Sequence, residues 1–266
     1  MLIMEILGYL AAVLVGVVLG ALGGGGSILS IPILVYLFGI EPVMASAYSL
    51  FIVGTTSLVG AVPKYREHLV NLRTGILFGI PSIIAIFCTR KWIVPALPDI
   101  ILQTETFTLS KRTLLLGLFG MLMVLASFSM IKNRKEPEAN HKRFRTFLVI
   151  VEGLLIGFLT GLVGAGGGFL IIPALVFLTG LNFKTAVGTS LFIIAINSLL
   201  GFLGDVLTYT IDWEFLLSIT ALAVGGILIG NVMARKQPAQ LLRKAFGWLT
   251  LLMGVFILIR ESGFFF

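Results

Sequence analysis

Two glycine clusters are the residues of this chain best placed to do chemistry: Gly23, Gly24, Gly25 and Gly26, and Gly164, Gly166, Gly167 and Gly168 around Ala165. Each lies inside an apolar run and is followed by a proline, Pro32 or Pro173. Glycine lacks a Cβ, so the chain can turn sharply and a ligand can approach the backbone. A helix that starts after such a turn offers free N–H groups and about half a positive charge, which together attract an anion. Polar side chains nearby could donate to its oxygens: Ser27, Ser49, Thr55, Thr56 and Ser57, then Thr189, Ser190, Asn197 and Ser198. The same groups could equally join helices to one another. Glu152, about six residues into its apolar run, could carry a coupling proton, because an intramembrane carboxyl is a functional candidate by default. Its other reading is a carboxylate that reaches the interface or pairs with Arg145 or Lys142.

Other chemistries find little support. The two histidines, His68 and His141, fall in basic connections, so a hydrolase built on a serine and a histidine has no base at membrane depth. The single cysteine, Cys88, lies alone in an apolar run, which excludes a disulfide and a thiolate metal site. A glycine spacing of the dinucleotide-binding kind occurs at 23–27, but it follows an apolar span and not a strand. No Gly-Lys-Ser/Thr phosphate loop exists, so any transport is driven without nucleotide hydrolysis. The expectation is a non-enzyme with no cofactor and no metal.

The elements that must position these residues are membrane helices. Of 266 residues, 58% are apolar and 12% charged, against about 25% charged in soluble domains. If a span takes about 20 residues, the chain has room for eight to ten crossings and no separate soluble domain. The net charge of +7 sits mostly in short connections, where it orients the chain in the bilayer and does not imply nucleic acid. Met1 to Leu22 is apolar with no Lys or Arg before Lys64, so it lacks the basic n-region of a cleaved signal peptide and is expected to be the first span, retained.

Sliding the chain along itself by 141 residues exposes a repeat. Gly16, Gly20, Gly23, Gly25, Gly26 and Pro32 fall on Gly157, Gly161, Gly164, Gly166, Gly167 and Pro173, and about 20 of the 45 pairs from Gly16 to Gly60 are identical. The fold class expected is therefore all-α: two pseudo-symmetric repeats of about five apolar pieces, residues 1–131 and 146–266, joined by a basic cytoplasmic linker at 132–145. The run from 3 to 40 is too long for one helix and must break at Gly23–Gly26, as 146–180 must break at Gly164–Gly168. Further spans are expected at 42–62, 74–94, 113–131, 183–204, 213–234 and 241–260. If every piece crosses, 14 basic residues lie on the linker side and five on the other, which puts both termini outside the cytoplasm. Five crossings per half invert the second copy; if the short pieces are re-entrant, eight spans and a parallel repeat result. Close helix packing accounts for Gly16, Gly20, Gly157 and Gly161. It accounts poorly for the contiguous clusters, where each glycine costs a helix about 1 kcal/mol relative to alanine.

The doubled Gly-x-x-x-Gly-x-x-Gly-x-Gly-Gly pattern, each copy closed by its proline, resembles the TauE/SafE family of membrane transporters, the sulfite exporters, and the resemblance covers essentially the whole chain. It implies transport of a small sulfur-containing anion, sulfite or an organosulfonate, across a bacterial inner membrane. Carried over by position, the family's motif lies at Gly20, Gly23, Gly25, Gly26 and Pro32 and at Gly161, Gly164, Gly166, Gly167 and Pro173. The copies differ where Gly24 meets Ala165 and Ser27 meets Gly168, which implies an asymmetric site. The partners expected are that anion and the lipid bilayer. A permease for another small solute, or a membrane protein with a structural role, is the alternative, and the sequence does not specify an oligomeric state.

Overall fold

A computed structural model describes residues 2–104, 107–132, 146–164 and 167–261. The first apolar run forms α1 (Leu2–Leu22) and the short α2 (Gly25–Tyr36). α3 (Pro42–Arg66) and α4 (Leu72–Cys88) follow, and α4 continues through a π-helical turn, Thr89–Ile93, into α5 (Val94–Ala96). After α6 (Lys111–Ile131) the second half gives α7 (Thr146–Val163), the short α8 (Gly168–Leu178), α9 (Phe183–Val206), α10 (Trp213–Arg235) and α11 (Ala239–Glu261). Six of these, counting Leu72–Ala96 as one, are long and apolar enough to cross a membrane, and α1 and α7 add the shorter apolar stretches Leu7–Leu22 and Phe147–Val163. The chain is an all-α multi-pass membrane protein. One departure from the expected plan is the connection at 95–112, which folds into an antiparallel hairpin of β1 (Ile100–Thr104) and β2 (Phe107–Ser110). Most of the basic linker, 133–145, lies outside the described residues.

Positive-φ glycines break the long runs where the sequence places them. Gly23 (φ 77°) and Gly164 (φ 75°) are repeat equivalents, and each donates its N–H back to the preceding turn, to Leu19 O and Thr160 O, both at 2.7 Å. Gly39 and Gly180, also equivalents, end the short helices in the same left-handed conformation (φ 69° and 70°). Only glycine adopts this region without strain. The halves differ in that α2 begins at Gly25 while α8 begins only at Gly168, two residues later in the repeat frame. A further left-handed glycine, Gly167 (φ 73°), occupies the longer second turn.

Past the break α2 doubles back along α1. A Cβ on Gly26 would lie 2.5 Å from Leu19 Cβ and from Val15 O, and the Phe38 ring reaches Gly8 and packs edge-on against Tyr9. The short helix thus returns toward the level at which α1 began. Between the halves, equivalent residues make equivalent contacts. A Cβ on Gly16 would meet Ala223 O at 1.9 Å, and one on Gly157 would meet Ser82 O at 2.4 Å. Gly60 faces Ile227 as Gly201 faces Ile86. The first helix of each half therefore packs on the fourth helix of the other, with glycine letting the backbones touch. α3 runs antiparallel to its own equivalent α9, since Gly54 meets Leu199 while Gly188 meets Leu69 O. α6 and α11 are likewise antiparallel equivalents, with Gly120 beside Leu258 and Gly247 beside Ile131.

Candidate functional site

The two breaks meet in the interior. A Cβ on Gly24 would lie 2.5 Å from the carbonyl of Gly168, and one on Gly168 would lie 2.6 Å from Gly24 Cα. The backbones are in contact, close to Ile194 at the middle of α9, with Ile172 and Ile194 packed over them. The helices that start here are not closed by side chains: α2 has Gly24 at its N-cap and α8 has Gly167, neither with a side-chain cap. The starts of α4, α6, α9 and α10, by contrast, are capped by Asn71, Ser110, Asn182 and Asp212. Two helix starts left to glycine, from opposite halves, bring two partial positive charges to one place. Pro32 and Pro173 lie within α2 and α8, each removing one N–H from a helix already short. Gly23, Gly26 and Gly164 line the turns around this contact. The Ser27 side chain, Ala165 and Gly166 lie outside the described residues, and Gly25 is described only as the first residue of α2.

The polar candidates divide by partner. Ser49 and Ser30 hydroxyls share a 2.5 Å hydrogen bond. Ser190 donates to Val187 O, and Thr56 donates to Ile52 O in its own helix. Thr189 accepts from the N–H of Asn71 at 2.9 Å, and its equivalent Tyr48 accepts from the N–H of Asp212, equivalent to Asn71, at 3.0 Å. Ser49 with Ser30, Thr189 and Tyr48 tie one element to another, the role polar groups commonly take in lipid, while Ser190 and Thr56 bond back to their own helices. Three others keep unused capacity. Asn197 donates to Ser82 Oγ at 2.7 Å, but its Oδ1 is buried without a partner. Ser57 and Ser198, repeat equivalents, are fully buried and have no hydrogen-bond partner. Glu152 sits on α7, 12 residues before Gly164 and so about 18 Å along the helix from it. One of its carboxylate oxygens, Oε2, is buried and unpaired. Its suggested partners Arg145 and Lys142 lie outside the described residues.

Two charged residues that sequence analysis does not single out, Arg90 and Asp205, stand beside the second break. Both are fully buried and pair at 3.4 Å, Nη1 to Oδ1. Arg90 Nη2 also donates to Ser46 Oγ at 2.7 Å, and Ser46 donates to Val43 O. Arg90 Nε and Asp205 Oδ2 have no partner. Gly164 turns directly against this guanidinium: a Cβ there would lie 1.9 Å from Arg90 Nη2 and 2.2 Å from Ser46 Cβ. At the equivalent Gly23 the space is filled by Val187, the counterpart of Ser46. One break therefore faces a buried cation and the other an aliphatic side chain. The signal was legible in one respect only: Lys64 and Asp205 hold the same repeat position with opposite charge.

The two ends of the bundle differ in the same way. At the linker end a cavity of about 110 Å³ is lined by Lys64, Glu67, Phe183, Lys184, Val187 and Arg235 among others. Its inner wall, Val187, is the side chain that touches Gly23. At the opposite end the equivalents of Ala21, Lys184 and Arg235 are Leu162, Val43 and Val94, and these pack with Leu115 and Tyr209 into a closed apolar cluster. Burial and the carboxylate of Asp205 push the Tyr209 hydroxyl pKa above its usual value. A separate recess at that end carries the carboxylates of Glu41 and Asp212.

Comparison with known proteins agrees with this architecture. The family profile described as Sulfite exporter TauE/SafE matches residues 8–257. A probable membrane transporter protein of Xylella fastidiosa is 30% identical over 258 residues, covering 93% of this chain and 92% of its own. The probable membrane transporter protein YunE of Bacillus subtilis is 26% identical, covering 87% and 90%. A protein of the same description from Haemophilus influenzae is 26% identical, covering 94% and 97%. No solved structure matches. With its doubled glycine breaks, its buried helix starts and a family match over nearly its full length, the chain belongs to the TauE/SafE family of membrane transporters.

Proposed function

We propose that the protein is a secondary transporter of a small anion of the sulfite or organosulfonate class, working by alternating access of two inverted repeats in a bacterial inner membrane. The observation that carries this reading is the contact of Gly24 with Gly168, where two helix starts without side-chain caps converge from opposite halves. Each start supplies about half a positive charge, and the buried guanidinium of Arg90 beside Gly164 is balanced by Asp205, so the two starts together leave about one positive charge. A monoanion held there is electrostatically matched in a medium where an unpaired charge is costly. Antiparallel packing of the equivalents α3 with α9, and α6 with α11, supports a repeat inverted across the membrane plane.

In this conformation the cavity at the linker end reaches Val187, while at the opposite end the equivalent positions are filled by the Val43 cluster and by Arg90 with Asp205, apart from the recess at Glu41 and Asp212. Rocking one half against the other would exchange these roles. It would also separate Gly24 from Gly168 and admit the anion between them. The basic linker end faces the cytoplasm and both termini face away from it, following the excess of Lys and Arg at that end. The test is flux of radiolabelled sulfite or sulfoacetate into proteoliposomes. Wild type transports in a saturable way, and Gly24→Leu and Gly168→Leu, assembled normally by gel filtration, lose transport. Leakage equal in wild type, both variants and protein-free liposomes refutes the reading and leaves a structural role. Saturable flux of an uncharged solute alone would favour the permease alternative.

A further inference from the structure

The cavity at the linker end has a composition that the helix-start site does not explain. It gathers three cations, Lys64 from the end of α3, Lys184 from the start of α9 and Arg235 from the end of α10, around a single carboxylate, Glu67. Glu67 is shared, 2.7 Å from Arg235 Nη2 and 4.0 Å from Lys64 Nζ. Among the described residues two positive charges are left over in a recess where Lys64 is almost fully buried. The equivalent positions at the other end carry no such surplus: Asp205, Val43 and Val94 stand there. The cations thus belong to one end of the molecule and are not imposed by the repeat.

We propose that Lys64, Lys184 and Arg235 form a second anion site, a vestibule that holds one small oxyanion before it passes Val187 to the Gly23 break. This rests on the transport reading for its purpose, not for its chemistry. Arg235 holds Glu67 through Nη2 and has further N–H donors for an anion's oxygen, and the lysines act as point charges able to follow a tetrahedral or pyramidal oxyanion. Lysine and arginine at a partly open site hold such an ion with strong salt dependence. The cavity of about 110 Å³ accommodates an inorganic oxyanion or a small sulfonate headgroup and not a nucleotide. Val187 both lines the vestibule and touches the break at Gly23.

The test is calorimetric titration of sulfite, and separately of sulfate, into the full-length protein in nanodiscs of phosphatidylcholine only. Lys184→Gln and Arg235→Gln alter partly or largely exposed side chains and leave the fold intact. Each is expected to weaken binding about five- to tenfold, the loss of one charged contact, and the pair by more. Lys236→Gln, an exposed neighbour outside the cavity, leaves affinity unchanged. Wild-type affinity in both cavity variants, or an equal loss in Lys236→Gln, overturns the proposal. So does the absence of sulfite binding in neutral nanodiscs combined with phosphatidylglycerol retained by wild type but not by the double variant, which assigns the site to a lipid phosphate. The two readings fail separately. Saturable flux in Gly24→Leu would remove the helix-start site and leave the vestibule, while unchanged titrations in the cavity variants would do the reverse.

Discussion

Gly164→Ala isolates the contact between the second break and the buried guanidinium. Gly164 holds φ 75°, and an alanine there pays about 1–2 kcal/mol for the left-handed conformation. Its methyl would also lie 1.9 Å from Arg90 Nη2 and 2.2 Å from Ser46 Cβ, so the guanidinium must leave its 2.7 Å hydrogen bond to Ser46. Loss of a hydrogen bond to a charged group costs a further 1.5–3 kcal/mol or about that. Gly180→Ala is the matched control: φ is 70°, and no atom stands within 4 Å of the new methyl. Chemical denaturation in detergent should therefore show a loss of about 1–2 kcal/mol for Gly180→Ala and about 2.5–5 kcal/mol for Gly164→Ala. In an Arg90→Ala background the part of the excess that acts through the guanidinium should vanish, leaving only the contact with Ser46 Cβ. Sulfite flux should fall in Gly164→Ala and hold in Gly180→Ala. Equal destabilisation by the two alanines, or full additivity with Arg90→Ala, would refute the packing of this break on the guanidinium.

Other consequences can be measured independently. Arg90→Ala and Asp205→Ala each strand a buried charge and should destabilise by about 3–5 kcal/mol, whereas Arg90→Met with Asp205→Leu should recover most of that stability without restoring flux. Gly16→Ala and Gly157→Ala, aimed at Ala223 O and Ser82 O, should each cost about 1–3 kcal/mol or more. Gly225→Ala, with open space around it, should gain up to about 1 kcal/mol in the same denaturation series. In a Cys88→Ser background, in detergent where both ends are reachable, a polar maleimide should label Lys184→Cys faster than its repeat equivalent Val43→Cys; equal labelling would contradict a cavity confined to the linker end. A reporter fused after Phe266 should be active only outside the cytoplasm, and activity inside would reverse the assigned orientation.

Much of the architecture is written in local sequence. The glycine clusters interrupt apolar runs that are too long for one helix, so the breaks at Gly23 and Gly164 follow from backbone freedom alone. The repeat frame then relates the halves residue by residue, down to the matched contacts of Gly16 and Gly157. The hairpin at 100–110 was not legible, because it lies in a connection where no apolar period of helical length declares it. Nor was the fate of individual hydroxyls: Ser49, Thr189 and Ser190 look alike on paper, and only packing shows that Ser30, Asn71 N–H and Val187 O satisfy them. Charge was the least readable property. Whether a cation near a helix end meets water or the interior depends on which element covers it. The folded chain buries Arg90 against Asp205 and Gly164, and gathers Lys64, Lys184 and Arg235, which are successively 120 and 51 residues apart, into one recess. Spacing along a chain fixes which residues share a helix; only the meeting of helices from opposite halves sets the dielectric around each charge.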